Sequence, residues 1–338
     1  MTQEDSITQK VKNMYKKYPY PSPSVDISQT NELLNLLRIF ELESNVKLEK
    51  MNVLDAGCGS GHRITNVADF FTKCNFLGID ISEKSLEIAN SLKNKKNLQN
   101  LQFQNHDIMN GVEILGKFDL VLCMGVLHHL SHPDKGLQML VDTLSDTGMI
   151  FLYLYGKLGG HKRMLNKELI SILLGKDQHD YDLGIKLVRE LQLNKFEYGW
   201  NLHFKNDKEE DSLIVDSLLH ANEILYDCKD IHRLFEKSNL YGYAIFGITT
   251  GTRGLLFDHD INVQKKLSIP QTNIVQIFKS KLSQTLYESL NLYEKYRVLD
   301  LLYEPNGYTI IGFTKNAFES LTNERLKRNF IKISGNPT

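Results

Sequence analysis

The chain has 338 residues, 41% hydrophobic and 24% charged, with a formal net charge of −1. That is the composition of an ordinary soluble protein with a large core, and it leaves no bulk basic field to hold nucleic-acid phosphates, although a local patch would be invisible in the sum. No apolar run approaches a membrane span, the N-terminus lacks a signal-peptide pattern, and the four cysteines show neither metal-ligand spacing nor a disulfide framework, so an intracellular, cytoplasmic protein is expected.

Residues 1–45 precede the first expected strand and read as an N-terminal arm. Within it, Met14–Pro23 sets three prolines among Tyr15, Tyr18 and Tyr20, which bars helix over 19–23 and favours a stiff, extended path. Two roles are open to this arm: packing on the core with half-buried tyrosines, or forming a lid over a ligand pocket. Leucines at helical spacing predict a helix over Asn31–Leu42, beside the first strand.

From 46 to 156 apolar runs alternate with helical patterns, as a parallel α/β sheet requires. Strands are predicted over 51–56, 75–80, 101–105, 118–123 and 148–155. Helices are predicted over 62–72, 82–94 and 133–145, with Ser82 as a cap and Pro133 in a first turn. The stretch Val53–Gly61 organises this region. Its apolar strand runs into Gly57, Gly59 and Gly61, which allow positive φ and let a ligand lie against bare backbone. His62 stands where a nicotinamide or flavin fingerprint needs Gly or Ala. Asp55, ahead of the glycines, would repel a pyrophosphate and suits a ligand bearing an ammonium group. Asp80 ends the next apolar run, where a doubly wound sheet places the acid for ribose hydroxyls. Ligands of such sheets bind outside the carboxyl ends of the strands, so Asp55, Asp80, Asp107, Gly125 and Tyr155 converge on one edge.

Together these residues resemble the class I S-adenosylmethionine-dependent methyltransferases. Asp55–Gly61 is similar to their glycine loop, Gly78–Asp80 to their ribose acid, Asn105–Ile108 to their adenine-edge segment, and Cys123–Leu130 to the turn after their fourth strand. The resemblance implies an α/β fold with a doubly wound, seven-stranded Rossmann-like sheet and S-adenosyl-L-methionine as cofactor. Its binding residues would be Asp55, Gly57, Gly59, Gly61, Asp80, Ile81, Asp107, Ile108, Met124 and Gly125. The turn at Met124–His129 lacks the Asn/Asp-Pro-Pro-Tyr/Phe box that holds a planar amine. It is similar to the small-molecule branch, including quinone and natural-product methyltransferases. Many methyltransferases resembling this chain also carry a tyrosine-proline segment as a lid.

After Tyr155 the alternation breaks. Residues 157–226 read as a helical insertion hanging over the ligand edge, and 227–249 resume the core with a helix over 230–238 and a sixth strand over 241–248. A second, mostly helical insertion spans 250–306 and contains Gln276–Leu290. The last strand is expected over 307–313, followed by a polar tail to 338.

Methyl transfer from a sulfonium is an in-line displacement in which positioning does much of the work and a general base is modest or absent. His128 is the first candidate base, with packing on adenosine or a bond to a backbone carbonyl as its plainer role. Tyr155, nearer the strand end than Tyr153, is the better pocket candidate and a second candidate catalytic group. Asp216, His220 and Glu223 are spaced four and three apart, on one face if Val215–Leu225 is helical throughout. They could form a proton relay, half a metal site, or a hydrogen-bonded helix face; no metal is assigned. Position in the chain places the acceptor between residues 157–226 and the Tyr15–Pro21 arm, with Tyr15, Tyr18, Tyr20, Asp216 and Glu223 in its pocket and His220 a further candidate catalytic group. A small-molecule methyltransferase is the leading reading. A protein or RNA methyltransferase would show an open basic groove instead, and a non-catalytic S-adenosylmethionine-binding module would show no catalytic group.

Overall fold

The computed structural model describes residues 3–23, 25–175, 180–194, 207–250, 253–257, 271–272, 277–322, 327 and 329–333. The first five strands are β1 (Asn52–Ala56), β2 (Asn75–Asp80), β3 (Leu101–Asn105), β4 (Phe118–Met124) and β5 (Leu144–Tyr155). They pair in parallel in the order β3-β2-β1-β4-β5. Strands β6 (Gly242–Thr250), β7 (Arg253–Phe257), β8 (Gln271–Thr272), β9 (Gly307–Phe313) and β10 (Ile331–Lys332) complete the sheet. The last long strand, β9, inserts antiparallel between β5 and β6. All seven expected strands are present. Three short ones add to them among the described residues: β7 and β8 continue the sheet beyond β6, and β10 pairs with β6.

Apolar strands buried on both faces need helices on both sides. One face is covered by α2 (Glu32–Ser44), α3 (His62–Phe70), α4 (Glu83–Lys95) and α12 (Lys315–Ser320), through residues such as Phe40, Val67, Leu86 and Phe318. The other is covered by α5 (Pro133–Val141), α9 (Cys228–Glu236) and α11 (Leu292–Tyr303), through Leu137, Ile231, Leu234 and Leu299. Ser82 caps α4 by accepting the N–H of Ser85, and Pro133 occupies the first turn of α5. That helix stops at Val141 rather than 145, because β5 already begins at Leu144 and is bulged against β4.

The insertions depart further from expectation. The described part of 250–306 opens with β7 and β8 and becomes helical only at α10 (Lys281–Glu288) and α11. Gln276, the first residue of the expected helix there, lies outside the described residues. Residues 157–226 contribute α6 (His161–Leu174), α7 (Tyr181–Glu190) and α8 (Asp207–Leu218). The arm begins with a helix, α1 (Gln3–Lys17), which ends ahead of Pro19. Met14 of α1 is buried with Ile170, Leu174, Ile185, Val188, Ile214 and Leu218 of α6–α8, so arm and insertion share an apolar cluster separate from the sheet's. They form one cap.

A buried carboxylate ties α11 to the core. Asp300 accepts the N–H of Cys228 at 2.9 Å and the hydroxyl of Tyr308, and pairs with Arg297 at 2.7 Å. It thereby joins the start of α9 to β9. Removing one partner of a buried ionic network leaves the others desolvated and unmatched, a cost of about 3–5 kcal/mol. Urea unfolding of Asp300→Ala should lose stability in that range. A loss below about 1 kcal/mol, the scale of an exposed pair, would show that this contact is not structural.

Candidate active site

A cavity of about 430 Å³ opens where the parallel strands end. Gly57 and Gly59 follow β1, Asp80 and Ile81 end β2, Asp107 and Ile108 follow β3, Met124 and Gly125 close β4, and Tyr153 and Tyr155 end β5; all of them line it. Thr8, Val11 and Tyr15 of α1, Arg163 of α6 and Leu213 and Asp216 of α8 line the opposite side. The cavity therefore lies between sheet edge and cap.

The sheet side is shaped by backbone. Gly57 has φ +82° and Gly59 φ +55°, left-handed values that a side chain rarely adopts. A Cβ on Gly57 would strike Val126, and one on Gly59 would stand 2.5 Å from the Tyr20 carbonyl oxygen. Gly61 is not on the wall; a Cβ there would meet Ala89 and Phe103, so its role is to let α3 approach α4 and β3. The N–H of Gly59 donates to Asp80 Oδ2 and that of Ser82 to Oδ1, both at 2.8 Å, which orients the carboxylate at the end of β2. Asp107 accepts the N–H of Met109 at 2.9 Å and holds the short turn Ile108–Asn110.

Asp55 is not on the cavity wall. It is buried below the glycine loop, and burial pushes its carboxyl up to about 7, with Arg63 pulling down and Asp80 pushing up. Arg63 is on the wall and donates to the Met124 carbonyl at 3.2 Å.

The proline-rich arm is fastened to the glycine loop. Ser60 donates its hydroxyl to the Pro21 carbonyl at 2.8 Å and its N–H to that of Tyr20 at 3.3 Å. Asn66 donates to the Ile27 carbonyl at 2.7 Å. Of the arm's tyrosines, Tyr15 and Tyr20 line the cavity. Tyr18 turns away, donating to Asp182 of α7 at 2.7 Å beside the Lys17–Asp182 ion pair.

On the cap side the expected helical face is not formed. Helix α8 ends at Leu218, so His220 and Glu223 lie beyond it, and the turn is held by the N–H of Asn222 donating to His220 Nδ1 at 3.1 Å. Asp216 and His220 nevertheless meet at Tyr15, whose hydroxyl donates to Asp216 Oδ1 at 2.7 Å and lies 3.2 Å from His220 Nε2. Glu223 points elsewhere. Its fully buried carboxylate pairs with Arg163 at 2.6 Å and Lys167 at 3.2 Å. Burial pushes it up, but the two cations outweigh that and hold it below its ordinary value.

His128 is fully buried behind the wall, its ring 4.0 Å from that of Tyr155, and neither nitrogen has a hydrogen-bond partner among the described residues. Burial, His129 and the nearby cations keep it neutral, well below its ordinary pKa. Its neighbour His129 is on the wall instead, stacked on His220 with centroids 3.7 Å apart. His129, Arg63 and Arg163 on the wall, and Lys167 beside it, belong to no motif of their own in the sequence. The His128-His129 doublet was the one available signal for the first, since a short turn can present only one of two adjacent rings to a cavity.

Strand order and the glycine-walled edge define a Rossmann-like α/β protein. Residues 47–206, just under half of the chain, match the family described as a methyltransferase domain, the class that the glycine loop and the strand-end acids resemble. It is 28% identical over 247 residues to an uncharacterised protein of Synechococcus, covering 70% of this chain and 59% of that one. An uncharacterised protein of Rickettsia prowazekii is 30% identical over 140 residues, 41% of this chain and 56% of its own length. A ubiquinone biosynthesis O-methyltransferase of Coxiella burnetii is 27% identical over 158 residues, 44% of this chain and 63% of its own. The chain thus spans less than two thirds of these curated relatives. The solved structure of PKMT2 from Rickettsia typhi superposes with a TM-score of 0.59 at 18% identity, over 88% of this chain and 55% of that chain, a likeness of fold.

Asp55 gives the site a pH signature. Its folded value of about 7 stands above the ordinary 3.8, so between pH 4 and 7 the folded protein holds a proton that the unfolded chain has released. Below that window Asp55 has no effect on stability; across it, stability falls as pH rises, by up to about 1.4 kcal/mol per unit. Asp55→Asn should flatten that fall in denaturant unfolding measured across the window. Equal slopes for the two proteins would contradict the burial assigned to Asp55.

Proposed function

We propose that the protein transfers the methyl group of S-adenosylmethionine to a small-molecule acceptor enclosed between the sheet edge and the cap. The observation that carries this reading is the cavity of about 430 Å³, walled on one side by the glycine loop, Asp80 and Asp107 and on the other by arm and insertion. That size lies within the roughly 300–1,000 Å³ of small-molecule sites, and a cavity walled on two sides suits a small acceptor better than a polymer. The name of the Coxiella burnetii relative, an O-methyltransferase of ubiquinone biosynthesis, supports the same acceptor class.

In this reading Asp80 takes the ribose hydroxyls, Asp107 and Ile108 flank the adenine, and the bare backbone of Gly57 and Gly59 lies against the methionine portion. Met124 and Gly125 bound the donor on the side of Tyr155. Arg63 on the wall and Asp55 beneath it set the local charge. The cap excludes water and holds the acceptor in line with the breaking C–S bond, so that most of the rate enhancement comes from positioning. Tyr15, Tyr20 and Tyr155 supply flat, amphipathic walls for the acceptor.

Calorimetry with S-adenosylhomocysteine tests the donor side. The protein should bind it, and Asp80→Ala should lose about 1.5–3 kcal/mol for each charge-assisted hydrogen bond removed, roughly 10- to 150-fold in Kd. No heat with the unaltered protein would overturn the reading. Unchanged affinity in the variant would mean that Asp80 does not hold the ribose.

A further inference from the structure

Three ring systems meet at the cap end of the cavity, and their hydrogen bonds fix where each proton lies. Nδ1 of His129 faces the carbonyl oxygen of Asn222 at 2.8 Å. A carbonyl only accepts, so Nδ1 carries the hydrogen and Nε2 of the neutral ring has its lone pair available. The hydrogen bond of the His129 ring is made through Nδ1, and His129 lines the cavity. His220 is the opposite tautomer: the Asn222 N–H donates to its Nδ1, so its proton sits on Nε2 and points to the Tyr15 oxygen. Tyr15 in turn donates to Asp216. One residue, Asn222, thus sets both rings through its carbonyl and its N–H.

One atom from each of His129, Asp216 and His220 lies within 4.8 Å of the other two, a spacing that could hold a metal ion. The proton directions argue against that use. The His220 nitrogen that faces the group carries hydrogen, and its other nitrogen is occupied by the Asn222 N–H. A metal needs a bare lone pair from each imidazole. The same directions suit a base.

Resting on the methyl-transfer reading above, we propose that His129 Nε2 is the general base of this site and that the acceptor is an uncharged hydroxyl compound. The acceptor oxygen bonds to the methyl carbon as the C–S bond breaks, its electron pair going to sulfur. The hydroxyl proton passes to His129 Nε2. The positive charge leaves the sulfonium, which becomes a neutral thioether, and ends on the imidazolium. Asp216 stands beside that imidazolium, and Tyr15 and His220 are positioning residues that hold its carboxylate.

The groups facing His129 are consistent with this role. Burial, the largest influence, together with Lys167 lowers its pKa, while Asp216, Glu223 and the Asn222 carbonyl raise it. His128 and Tyr155 lie against its other sides, at 4.1 and 5.8 Å between centroids. A carboxylate acceptor would need no base at all. A neutral hydroxyl, which must shed a proton as it is methylated, uses every element present.

Nitrogen-15 NMR of histidine-labelled protein saturated with S-adenosylhomocysteine tests the assignment without an acceptor in hand. Near about pH 7.5 His129 should be neutral with its proton on Nδ1, and Asp216→Asn should move its titration to lower pH. A proton on Nε2, an imidazolium at that pH, or a titration unmoved by Asp216→Asn would overturn it. So would a metal ion that copurifies and is lost in His220→Ala. With labelled methyl donor and a panel of phenols, alcohols, amines and thiols, label should appear on oxygen, and His129→Gln should lower kcat about 100-fold or more with donor affinity retained. Label on nitrogen or sulfur alone, no label on any hydroxyl compound, or unchanged kcat would contradict the proposal. Binding of S-adenosylhomocysteine by calorimetry separates the two claims: its loss defeats the donor reading, whereas its retention with a wrong tautomer defeats only this one.

Discussion

The close approach of the Tyr20 carbonyl to Gly59 is the constraint on which the rest of the site depends. A Cβ at that glycine would stand 2.5 Å from the carbonyl oxygen, so the arm can lie on the loop only because position 59 carries no side chain. The same residue directs its N–H at Asp80. The loop thus serves two neighbours at once, orienting the acid at the end of β2 and seating the arm. With Ser60 fastened to Tyr20 and Pro21, the arm is fixed where α1 can bury Met14 among α6–α8. The cap is in this way anchored at the edge where a nucleoside would lie.

That coupling has a chemical consequence. Tyr15 reaches Asp216 and His220 from α1, while its own helix is fixed through the arm to the glycine loop. The sheet-edge half and the cap half of the cavity are therefore connected by covalent chain as well as by packing. The proposed methyl transfer needs donor and acceptor in line and in a water-poor space, and a cap anchored beside the glycine loop would meet both needs with few catalytic groups. The buried charges are arranged to match. Glu223 is neutralised by Arg163 and Lys167, which leaves Asp216 as the carboxylate beside the histidine rings.

The sheet and the donor edge were legible in the sequence because they rest on local rules. Apolar runs and glycines at 57, 59 and 61 give strand, turn and helix without reference to distant residues, and the acids at 80 and 107 follow from strand ends. What depended on long-range packing was not legible. The spacing of Asp216, His220 and Glu223 suggested one helical face, but α8 ends at Leu218, and His220 joins Asp216 through Tyr15, 201 positions away from Asp216 in the chain. His128 and His129 are adjacent, and nothing local says which ring a short turn sends inward. The helix Gln3–Lys17 is strongly polar and buries Met14 against the insertion while lying beside α4, and β7 and β8 are strands because β6 offers an edge to β7 and β7 one to β8.

A crystal structure of the complex with S-adenosylhomocysteine measures the central claim most directly, that one enclosed cavity holds donor and acceptor side by side. The ribose should lie on Asp80 and the adenine beside Asp107, with the sulfur turned inward toward Tyr155 and His129 under a closed cap. A sulfur directed to open solvent, or a ribose bound away from Asp80, would contradict it.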